Sequence, residues 1–212
     1  DLLASIVAIT GPSGSGKSWL ARNLTACLAE MDHKLAAEVL PEDAYYRNQD
    51  HLEFSERTRV NYDHPQALEH ELLLEQLNCL RAGEHVNVPV YDYVNHTRAR
   101  RTRPLRPPQL LIVEGVLLLS DPRLRKQFDL TLYLDTPIEL CLDRRIQRDV
   151  RERGRTEESV KQQFEASVLP MYQEYVLPGR EQADLLIDGE AMQETHLQAL
   201  AERLLSQLQG PD

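Results

Sequence analysis

Short apolar segments alternate with longer amphipathic segments along most of the chain. The short segments are rich in aliphatic side chains, which predicts buried strands over residues 5–10, 35–40, 109–114, 129–134 and 184–188. Between them, apolar residues recur at helical spacing. Alternation of this kind predicts an α/β fold in which a mostly parallel sheet has helices on both faces.

Several of the helical segments carry local signals. Residues 65–82 begin with Pro65, which suits a first helical turn, and end before Gly83. Residues 191–209 predict a last amphipathic helix. Residues 137–152 carry one apolar stripe, which consists of Ile138, Leu142, Ile146 and Val150.

Residues 156–177 predict a further helix whose apolar positions recur every fourth residue. These positions are Val160, Phe164, Val168, Tyr172 and Val176. Pro170 lies inside this segment. Because proline lacks a backbone donor and clashes with the preceding helical turn, we expect a kink there.

Residues 85–108 break the alternation. Val86, Val88 and Val90 alternate with other residues, which predicts a strand. The arginine-rich and proline-rich sequence that follows predicts an exposed hairpin. An insertion at this point would lie beside the carboxyl edge of the sheet, where open α/β folds bind ligands. We therefore expect a substrate-binding β-hairpin flap.

The first predicted strand leads directly into a glycine-rich loop, residues 11–18. Its sequence, GPSGSGKS, fits G-x-x-x-x-G-K-[ST] at every fixed position, and a helical segment follows. The backbone N–H groups of such a loop converge on phosphate oxygens. Its lysine reaches the outer phosphates, and its serine hydroxyl binds Mg²⁺. An ordinary Gly/Ser turn is the alternative, but the flanking strand and helix favour binding of a nucleoside triphosphate. The predicted nucleotide-binding residues are Gly11, Pro12, Ser13, Gly14, Ser15, Gly16, Lys17, Ser18 and Trp19.

Composition restricts the partners. The 212 residues are enough for one well-buried core, and 42% hydrophobic and 27% charged residues are ordinary for a soluble globular protein. A net charge of -10 argues against nucleic-acid binding, and the sequence has no apolar run of membrane-spanning length. Cys27, Cys79 and Cys141 are far apart, odd in number and each in an apolar helical context, which predicts reduced, buried thiols in a cytoplasmic protein. The lack of a membrane-spanning run predicts that the protein has no membrane partner.

Two carboxylates are candidates for phosphoryl-transfer chemistry. Asp43 follows the second predicted strand, where it could orient an attacking hydroxyl or simply cap a turn. Glu114 ends the third strand. A carboxylate there needs a partner, and Mg²⁺ is favoured over backbone donors because a phosphate loop is present.

Basic and aromatic residues provide further candidates. Six arginines lie between 144 and 155, and Gly154 breaks one predicted helix from the next. This pattern predicts a mobile lid, residues 144–158, that carries arginines onto the phosphates, although a solvated face is the simpler interpretation for Arg144 and Arg151. Asp63 could cap the following helix. A patch that could bind a planar base is formed by Tyr91, Tyr93 and His96.

Taken together, these residues resemble the uridine kinase family, also called uridine-cytidine kinases, in its bacterial form. The resemblance covers residues 5 to about 188 and depends on the order and spacing of seven segments. They are GPSGSGKS (11–18), PEDAYYRNQ (41–49), NYDHPQALEHELLLEQL (61–77), VPVYDYVNHTR (88–98), LIVEGVLLL (111–119), LYLDTP (132–137) and RRIQRDVRERGR (144–155).

The resemblance implies one P-loop kinase domain over residues 1–212, with the flap at 85–108 and the lid at 144–158. It implies transfer of the γ-phosphoryl group of ATP or GTP to the 5′-hydroxyl of uridine, and of cytidine, with Mg²⁺ held by Ser18 and Glu114. Asp43 would activate the hydroxyl, and Lys17, Arg148 and Arg153 would neutralise the phosphates. The implied acceptor-binding residues are Tyr46, Tyr62, Asp63, Tyr91, Tyr93, His96, Arg145, Arg155 and Gln163.

The resemblance also implies a homo-tetramer that pyrimidine nucleoside triphosphates inhibit. Two departures from the family pattern affect selectivity. Residues 189–192, Gly-Glu-Ala-Met, replace a more glycine-rich loop near the donor base, so the choice between ATP and GTP stays open. Tyrosines stand where relatives have phenylalanine, at Tyr45, Tyr62 and Tyr93. This difference affects the expected preference between uridine and cytidine.

Three other functions were weighed. A phosphoribulokinase-like or pantothenate-kinase-like enzyme would not need the base-binding pair Tyr91 and His96. A GTP-dependent switch would carry an Asn-Lys-x-Asp guanine motif, which the sequence lacks. A non-catalytic regulator would be expected to lose Lys17, Asp43 or the lid arginines, and all of them are present.

Overall fold

The computed structural model describes residues 5–192 and 194–209. The strands in this part of the chain are β1 (Ser5–Thr10), β2 (Ala37–Pro41), β3 (Val86–Asp92), β4 (Thr97–Leu105), β5 (Leu110–Glu114), β6 (Leu130–Asp135) and β7 (Leu185–Asp188). Five of them form a parallel sheet in the order β2-β5-β1-β6-β7. The five predicted strands are confirmed, with ends that differ by two residues at most.

Helices connect the strands. They are α1 (Lys17–Met31), α2 (Phe54–Arg57), α3 (His70–Arg81), α4 (Pro122–Arg125), α5 (Ile138–Arg153), α6 (Glu157–Gln163), α7 (Leu169–Met171), α8 (Gly179–Gln182) and α9 (Glu194–Gln209). The last predicted helix, 191–209, thus begins later than expected, and residue 193 lies outside the described residues. Within the described ranges, no helix is long and apolar enough to cross a membrane.

The three central strands, β1, β5 and β6, are buried on both faces because they are apolar at nearly every position, whereas the edge strands β2 and β7 are partly exposed. Ile6 and Ala8 of β1 pack with Leu73 of α3, whereas Val7 and Ile9 pack with α1 and α9. This arrangement confirms the prediction of helices on both faces. Because all five strands are parallel, their carboxyl ends meet at one edge, and the loops that follow them can share a site.

The helix predicted to begin at Pro65 begins at His70 instead. Pro65 opens a short 3-10 turn, Pro65–Ala67, and Leu68 then becomes extended. Leu68 pairs with Tyr46 in an isolated antiparallel bridge. This contact with a distant segment overrides the local helical signal and delays the start of α3.

The segment that follows α5 stays helical past Pro170. Two π-helical turns, Phe164–Val168 and Tyr172–Val176, flank α7, which contains the proline. In an α-helix, positions four apart drift by about 40° per step. The wider π turns reduce this drift, so that Val160, Phe164, Val168 and Val176 all remain buried.

The predicted hairpin is present as β3 and β4, which form a separate two-stranded antiparallel sheet. Its base is part of the hydrophobic core through Val86, Val88 and Leu105. Its register shifts between Pro89 and Tyr91, where the hairpin leaves the core. The far end of the hairpin therefore projects at the carboxyl edge of the central sheet.

Helix α5 has a polar buried face. Cys141, Arg145 and Asp149 are buried, whereas the apolar stripe that begins at Ile138 is only partly covered, and Val150 is exposed. The three buried positions are four residues apart and face the phosphate loop, since Gly14 packs against the Cys141 carbonyl. Proximity to the site, rather than hydrophobicity, decides which face of this helix is buried.

Candidate active site

The loop between β1 and α1 forms a cradle at a helix N-terminus. Gly14 and Gly16 have φ angles of 83° and 101°, in the left-handed region that favours glycine. A Cβ atom on Gly14 would also lie 2.7 Å from the carbonyl oxygen of Cys141. Glycine at these positions lets the loop turn tightly against α5 and face its backbone towards the start of α1, where anions bind.

Lys17, the first residue of α1, folds back onto this loop. Its Nζ donates to the Pro12 carbonyl oxygen at 2.9 Å and to Ser15 Oγ at 3.4 Å. Burial lowers the pKa of the amine, and the negative charges of Glu114 and Asp43 oppose this shift. Its partners in the loop are neutral, so a phosphate oxygen would offer it a stronger, charge-assisted hydrogen bond.

Ser18 and Glu114 provide the donor set of a magnesium site. Ser18 Oγ donates to Glu114 Oε1 at 3.3 Å, because β5 lies next to β1 and brings its last residue beside the loop. Burial raises the pKa of Glu114, so an adjacent cation would favour its charged form. Hydroxyl and carboxylate oxygens suit Mg²⁺, which takes few protein ligands when it also binds phosphates.

Asp43 lies in the 3-10 turn Glu42–Tyr45, directly after β2. It lines a cleft of about 300 Å³ together with Lys17 and Glu114. Its side chain is open to the cleft, but the surrounding walls limit its hydration. This burial, with the charges of Glu114 and Glu42, raises the pKa of Asp43 to about 7. A carboxyl group with such a pKa can accept a proton near neutral pH.

A larger cleft of about 770 Å³ adjoins the phosphate loop, and Asp43 lines both clefts. All nine side chains that the resemblance assigns to the acceptor line this larger cleft. They are Tyr46, Tyr62, Asp63, Tyr91, Tyr93, His96, Arg145, Arg155 and Gln163. We call it the acceptor cleft. The structure thus brings these residues together, and their individual roles stay predictions.

Aromatic rings form one wall of the acceptor cleft. Tyr62 stacks on His96 with ring centroids 5.8 Å apart, and Tyr46 contacts Tyr62 edge-on at 5.5 Å. Gln49, which is buried, holds this wall from behind: its Nε2 donates to Tyr62 Oη at 2.7 Å and to the His96 carbonyl oxygen at 3.0 Å. His96 has a φ of 51°. The position of the His96 ring at the hairpin tip is therefore fixed by its neighbours.

Asp63 also lies in this cleft, where Ser167 Oγ donates to its Oδ2 at 3.2 Å. The alternative interpretation, that Asp63 caps a helix, is wrong. His64 takes that role, since its Nδ1 accepts from the Gln66 N–H at 3.0 Å. The carboxylate of Asp63 keeps capacity for further hydrogen bonds with a ligand.

The lid arginines converge on one buried carboxylate that sequence analysis missed. Asp149 is fully buried, and the guanidinium groups of Arg145, Arg148, Arg153 and Arg155 lie 2.9–3.9 Å from its oxygens. Four cations around one anion leave an excess of positive charge beside the phosphate loop. The cluster is therefore suited to binding further negative charge.

Arg144 also belongs to the site, so its interpretation as a solvated surface residue is wrong. Its Nη1 donates to the carbonyl oxygens of Gly14 and Ser15 at 3.3 and 3.2 Å. It lines a third cleft, of about 430 Å³, together with Trp19, Glu190 and Met192. This cleft adjoins the phosphate loop on the side away from the acceptor cleft. A donor base would fit there.

The sequence matches the model of the phosphoribulokinase/uridine kinase family over residues 6–196. The chain belongs to this family. The family resemblance inferred from the motifs is confirmed, and the matched region contains the phosphate loop, the hairpin and the lid arginines.

Individual members of the phosphoribulokinase/uridine kinase family are similar to the chain over most of its length. The chain is 45% identical to a uridine kinase of Erwinia tasmaniensis over 182 residues, which are 86% of this chain and 85% of that protein. It is 44% identical, with the same coverage, to a uridine kinase of Escherichia coli K12. A solved structure described as a possible uridine kinase from Bacillus stearothermophilus has a TM-score of 0.55 at 22% identity, covering 89% of this chain and 90% of that one. This last similarity supports the P-loop α/β fold alone.

The sequence analysis missed four polar residues that support the site. Gln49 and Asp149 hold groups that line the acceptor cleft, and Glu42 and His70 lie buried behind Asp43. All four lie inside segments that carry the family resemblance, 41–49, 61–77 and 144–155, and this is the signal that could have found them. Their burial depends on contacts between distant segments.

Proposed function

We propose that this protein is a uridine kinase that also accepts cytidine. It transfers the γ-phosphoryl group of ATP or GTP to the nucleoside 5′-hydroxyl and serves pyrimidine salvage. The observation that carries this proposal is the position of Asp43 between the phosphate loop and the acceptor cleft. The identity of 44–45% to curated uridine kinases supports it.

Asp43 acts as the general base. With a pKa of about 7, it accepts the proton of the 5′-hydroxyl as the oxygen attacks the γ-phosphorus. The new O–P bond forms while the bond from the γ-phosphorus to the β,γ-bridging oxygen breaks. The products are the nucleoside 5′-monophosphate and a nucleoside diphosphate.

Positive charge in the site stabilises the transferred group. Lys17 and the loop amides hold the donor phosphates, and Arg148 and Arg153 approach them from the lid. Ser18 and Glu114 would hold Mg²⁺, which neutralises charge on the β- and γ-phosphates when bound. This chemistry consists mainly of positioning and charge neutralisation.

The acceptor cleft selects a pyrimidine ribonucleoside. Asp63 accepts hydrogen bonds from the ribose hydroxyls, since a carboxylate can accept from both members of a vicinal diol. Tyr91 and His96 read the edge of the base, and Tyr62 and Tyr93 pack against it. Arg145, Arg155 and Gln163 complete the wall nearest the lid.

The remaining features follow from the family resemblance. We propose one kinase domain over residues 1–212, with the hairpin as the substrate-binding flap and residues 144–158 as the lid. We also propose a cytoplasmic homo-tetramer without nucleic-acid or membrane partners. Light scattering after size-exclusion chromatography, at several protein concentrations, would test the tetramer.

A substrate panel tests the proposed function. Uridine, cytidine, 2′-deoxyuridine, adenosine, ribulose 5-phosphate and pantothenate are each offered with Mg-ATP and with Mg-GTP. We expect turnover of uridine and cytidine and weaker turnover of 2′-deoxyuridine. Turnover of ribulose 5-phosphate or pantothenate instead would contradict the proposed function and assign the protein to another group of kinases. Nucleotide binding without any turnover would favour a regulatory role.

A further inference from the structure

Behind the Asp43 turn, three ionisable side chains form a row that leads away from the site. Glu42 and His70 are 1% and 5% exposed, and Glu42 Oε2 lies 2.8 Å from His70 Nε2. The other ring nitrogen, His70 Nδ1, is 3.7 Å from Asp121 Oδ2. Asp121 caps α4 through the Arg123 N–H. The row thus connects the Asp43 turn with the N-termini of α3 and α4.

A buried ion pair of this kind contributes little to stability on balance. The desolvation of both charges offsets most of their attraction, and apolar residues of the same volume often stabilise a fold as well or better. Stability alone is therefore a weak explanation for Glu42 and His70. Their position next to Asp43 suggests a role in the site.

Glu42 contacts the two loops that carry the chemistry. It begins the turn that contains Asp43, and its Oε1 accepts from the Leu117 N–H at 2.9 Å. The segment that leads to Leu117 begins at Glu114 and passes so close that a Cβ atom on Gly115 would lie 2.3 Å from Glu42 Cβ. Glu42 is thus wedged between the Asp43 turn and the loop that follows β5.

His70 holds Glu42 in this position through the 2.8 Å hydrogen bond at Nε2, and its surroundings favour the charged ring. Burial favours the neutral ring, but the hydrogen bond and charge of Glu42, with the charges of Asp121 and Glu71, raise the pKa of His70. These three carboxylates face the ring from the Asp43 turn, from α4 and from α3 itself, and Arg123 pairs with Asp121 at 2.8 Å. A protonated imidazole donates from both nitrogens, so it fixes the Glu42 carboxylate.

We propose that His70 is a positioning residue for phosphoryl transfer. Through Glu42 it fixes the distance between the turn that carries Asp43 and the loop that begins at Glu114, so that both carboxylates face one phosphoryl group. His70 is not among the residues that line the three clefts described above. The inference rests on the proposed role of Asp43 in a kinase.

The test compares His70→Ala with a matched control, Gln76→Ala. Gln76 lies on the same helix, is also buried, and accepts a 2.7 Å hydrogen bond from Tyr45 Oη, in the same turn as Asp43. Both variants lose a buried polar contact between α3 and this turn, but only His70→Ala releases Glu42. Steady-state kcat is divided by the fraction of protein that binds MgADP, which corrects for unfolded enzyme.

We expect kcat of His70→Ala to fall about 30-fold, with the KM values of nucleotide and acceptor within about threefold of wild type, because a small misplacement of reacting groups is costly. Gln76→Ala should stay within about threefold in kcat. Free imidazole should restore part of the activity of His70→Ala alone. If the alanine variant does not fold, His70→Gln, which keeps a donor without the charge, is measured in the same way, with at least a fivefold loss of kcat expected.

Equal losses in His70→Ala and Gln76→Ala, or a corrected kcat of the His70 variant within threefold of wild type, would overturn the inference. The ratio of variant to wild type is measured on whichever acceptor of the panel the wild type phosphorylates. A failure of uridine as substrate therefore counts against the proposed function, while the ratio still decides the role of His70.

Discussion

The two ends of the active site are built in different ways. At the phosphate end, the backbone of eight consecutive residues, 11–18, forms the cradle, and three glycines with positive φ allow its shape. At the acceptor end, side chains from many separate segments meet, among them the Asp43 turn, residues 62–63, the hairpin tip, the lid and Gln163 of α6. A backbone cradle binds the phosphates that all nucleoside triphosphates share, whereas a side-chain site can be changed one residue at a time. Generic donor chemistry and specific acceptor recognition thus occupy separate parts of the molecule.

Asp43 lies where the two ends meet, so Asp43→Asn should have the largest effect. The amide keeps the size of the side chain but cannot accept the hydroxyl proton. We expect kcat to fall about 10³-fold, the usual contribution of a general base. Nucleotide affinity, measured by calorimetry, should be nearly unchanged because Lys17 and the loop backbone remain.

The control for this experiment is Glu38→Gln, which changes an exposed carboxylate on the same strand, β2. It should retain wild-type kcat. Near-normal turnover by a folded Asp43→Asn variant would show that Asp43 is not the general base.

A second prediction separates the two ends. Asp63→Ala removes the proposed ribose contact at the acceptor end, and a hydrogen bond to a charged group is worth up to about 100-fold in kcat/KM. We therefore expect kcat/KM for uridine to fall by about that factor, with a smaller fall for 2′-deoxyuridine, which lacks one hydroxyl. The KM of the nucleotide should stay within about threefold. An equal loss for both nucleosides would contradict the ribose assignment.

A third prediction concerns Asp149, which serves both ends through the arginines around it. Asp149→Asn leaves four guanidinium groups without their shared anion, so they should repel one another and lose their positions. We expect kcat/KM to fall about tenfold. Inorganic pyrophosphate should raise the melting temperature of the variant more than that of wild type, since it supplies the missing charge.

The matched control is Asp143→Asn, which changes an exposed carboxylate on the solvent-facing side of the same helix, α5. It should show neither effect. A pyrophosphate response of equal size in wild type and in Asp149→Asn would argue that the carboxylate does not organise the arginines.

The smallest predicted effect is one of stability. The pKa of Asp43 is about 7 in the fold, above its ordinary value of 3.8, so between these pH values the folded protein binds the proton more tightly than the unfolded chain. Stability therefore falls as pH rises through this window. Asp43→Asn should melt at a higher temperature than wild type at pH 8, and the difference should shrink towards pH 5. The absence of any difference at pH 8 would show that Asp43 is not destabilised by its surroundings.

The phosphate end was predictable from sequence because its residues are contiguous and their spacing has a known geometry. The five strands were predictable for a similar reason, since apolar runs between turns are a local signal. Residue types alone indicated a base-binding patch at Tyr91, Tyr93 and His96. The other acceptor residues were assigned through resemblance to a family, because no spacing rule brings Asp63 and Gln163 together with this patch. Only the completed sheet and its loops do so.

What the sequence could not provide were the contacts between distant segments. The start of α3 moved to His70 because Leu68 pairs with Tyr46. The buried face of α5 is polar because it faces the phosphate loop. Helical periodicity alone would favour the neighbouring face, about 80° around the helix, since the apolar residues lie there. In both places a functional contact overrides the local pattern.

In the described part of the chain, β3 and β4 pair only with each other. Their register is independent of the five-stranded sheet. The base of the hairpin packs in the core at Val86, Val88 and Leu105. Its tip is held by the Asp43 turn and the residues after it, since Arg98 Nε donates to the Tyr46 carbonyl oxygen at 2.8 Å and Gln49 donates to the His96 carbonyl oxygen at 3.0 Å. The stretch from Tyr91 to Arg98 can therefore be exchanged only together with the residues that hold it. If these residues select the acceptor as proposed, an engineered change of preference would have to redesign the tip and its partners as one unit, while the backbone of the phosphate loop could stay as it is.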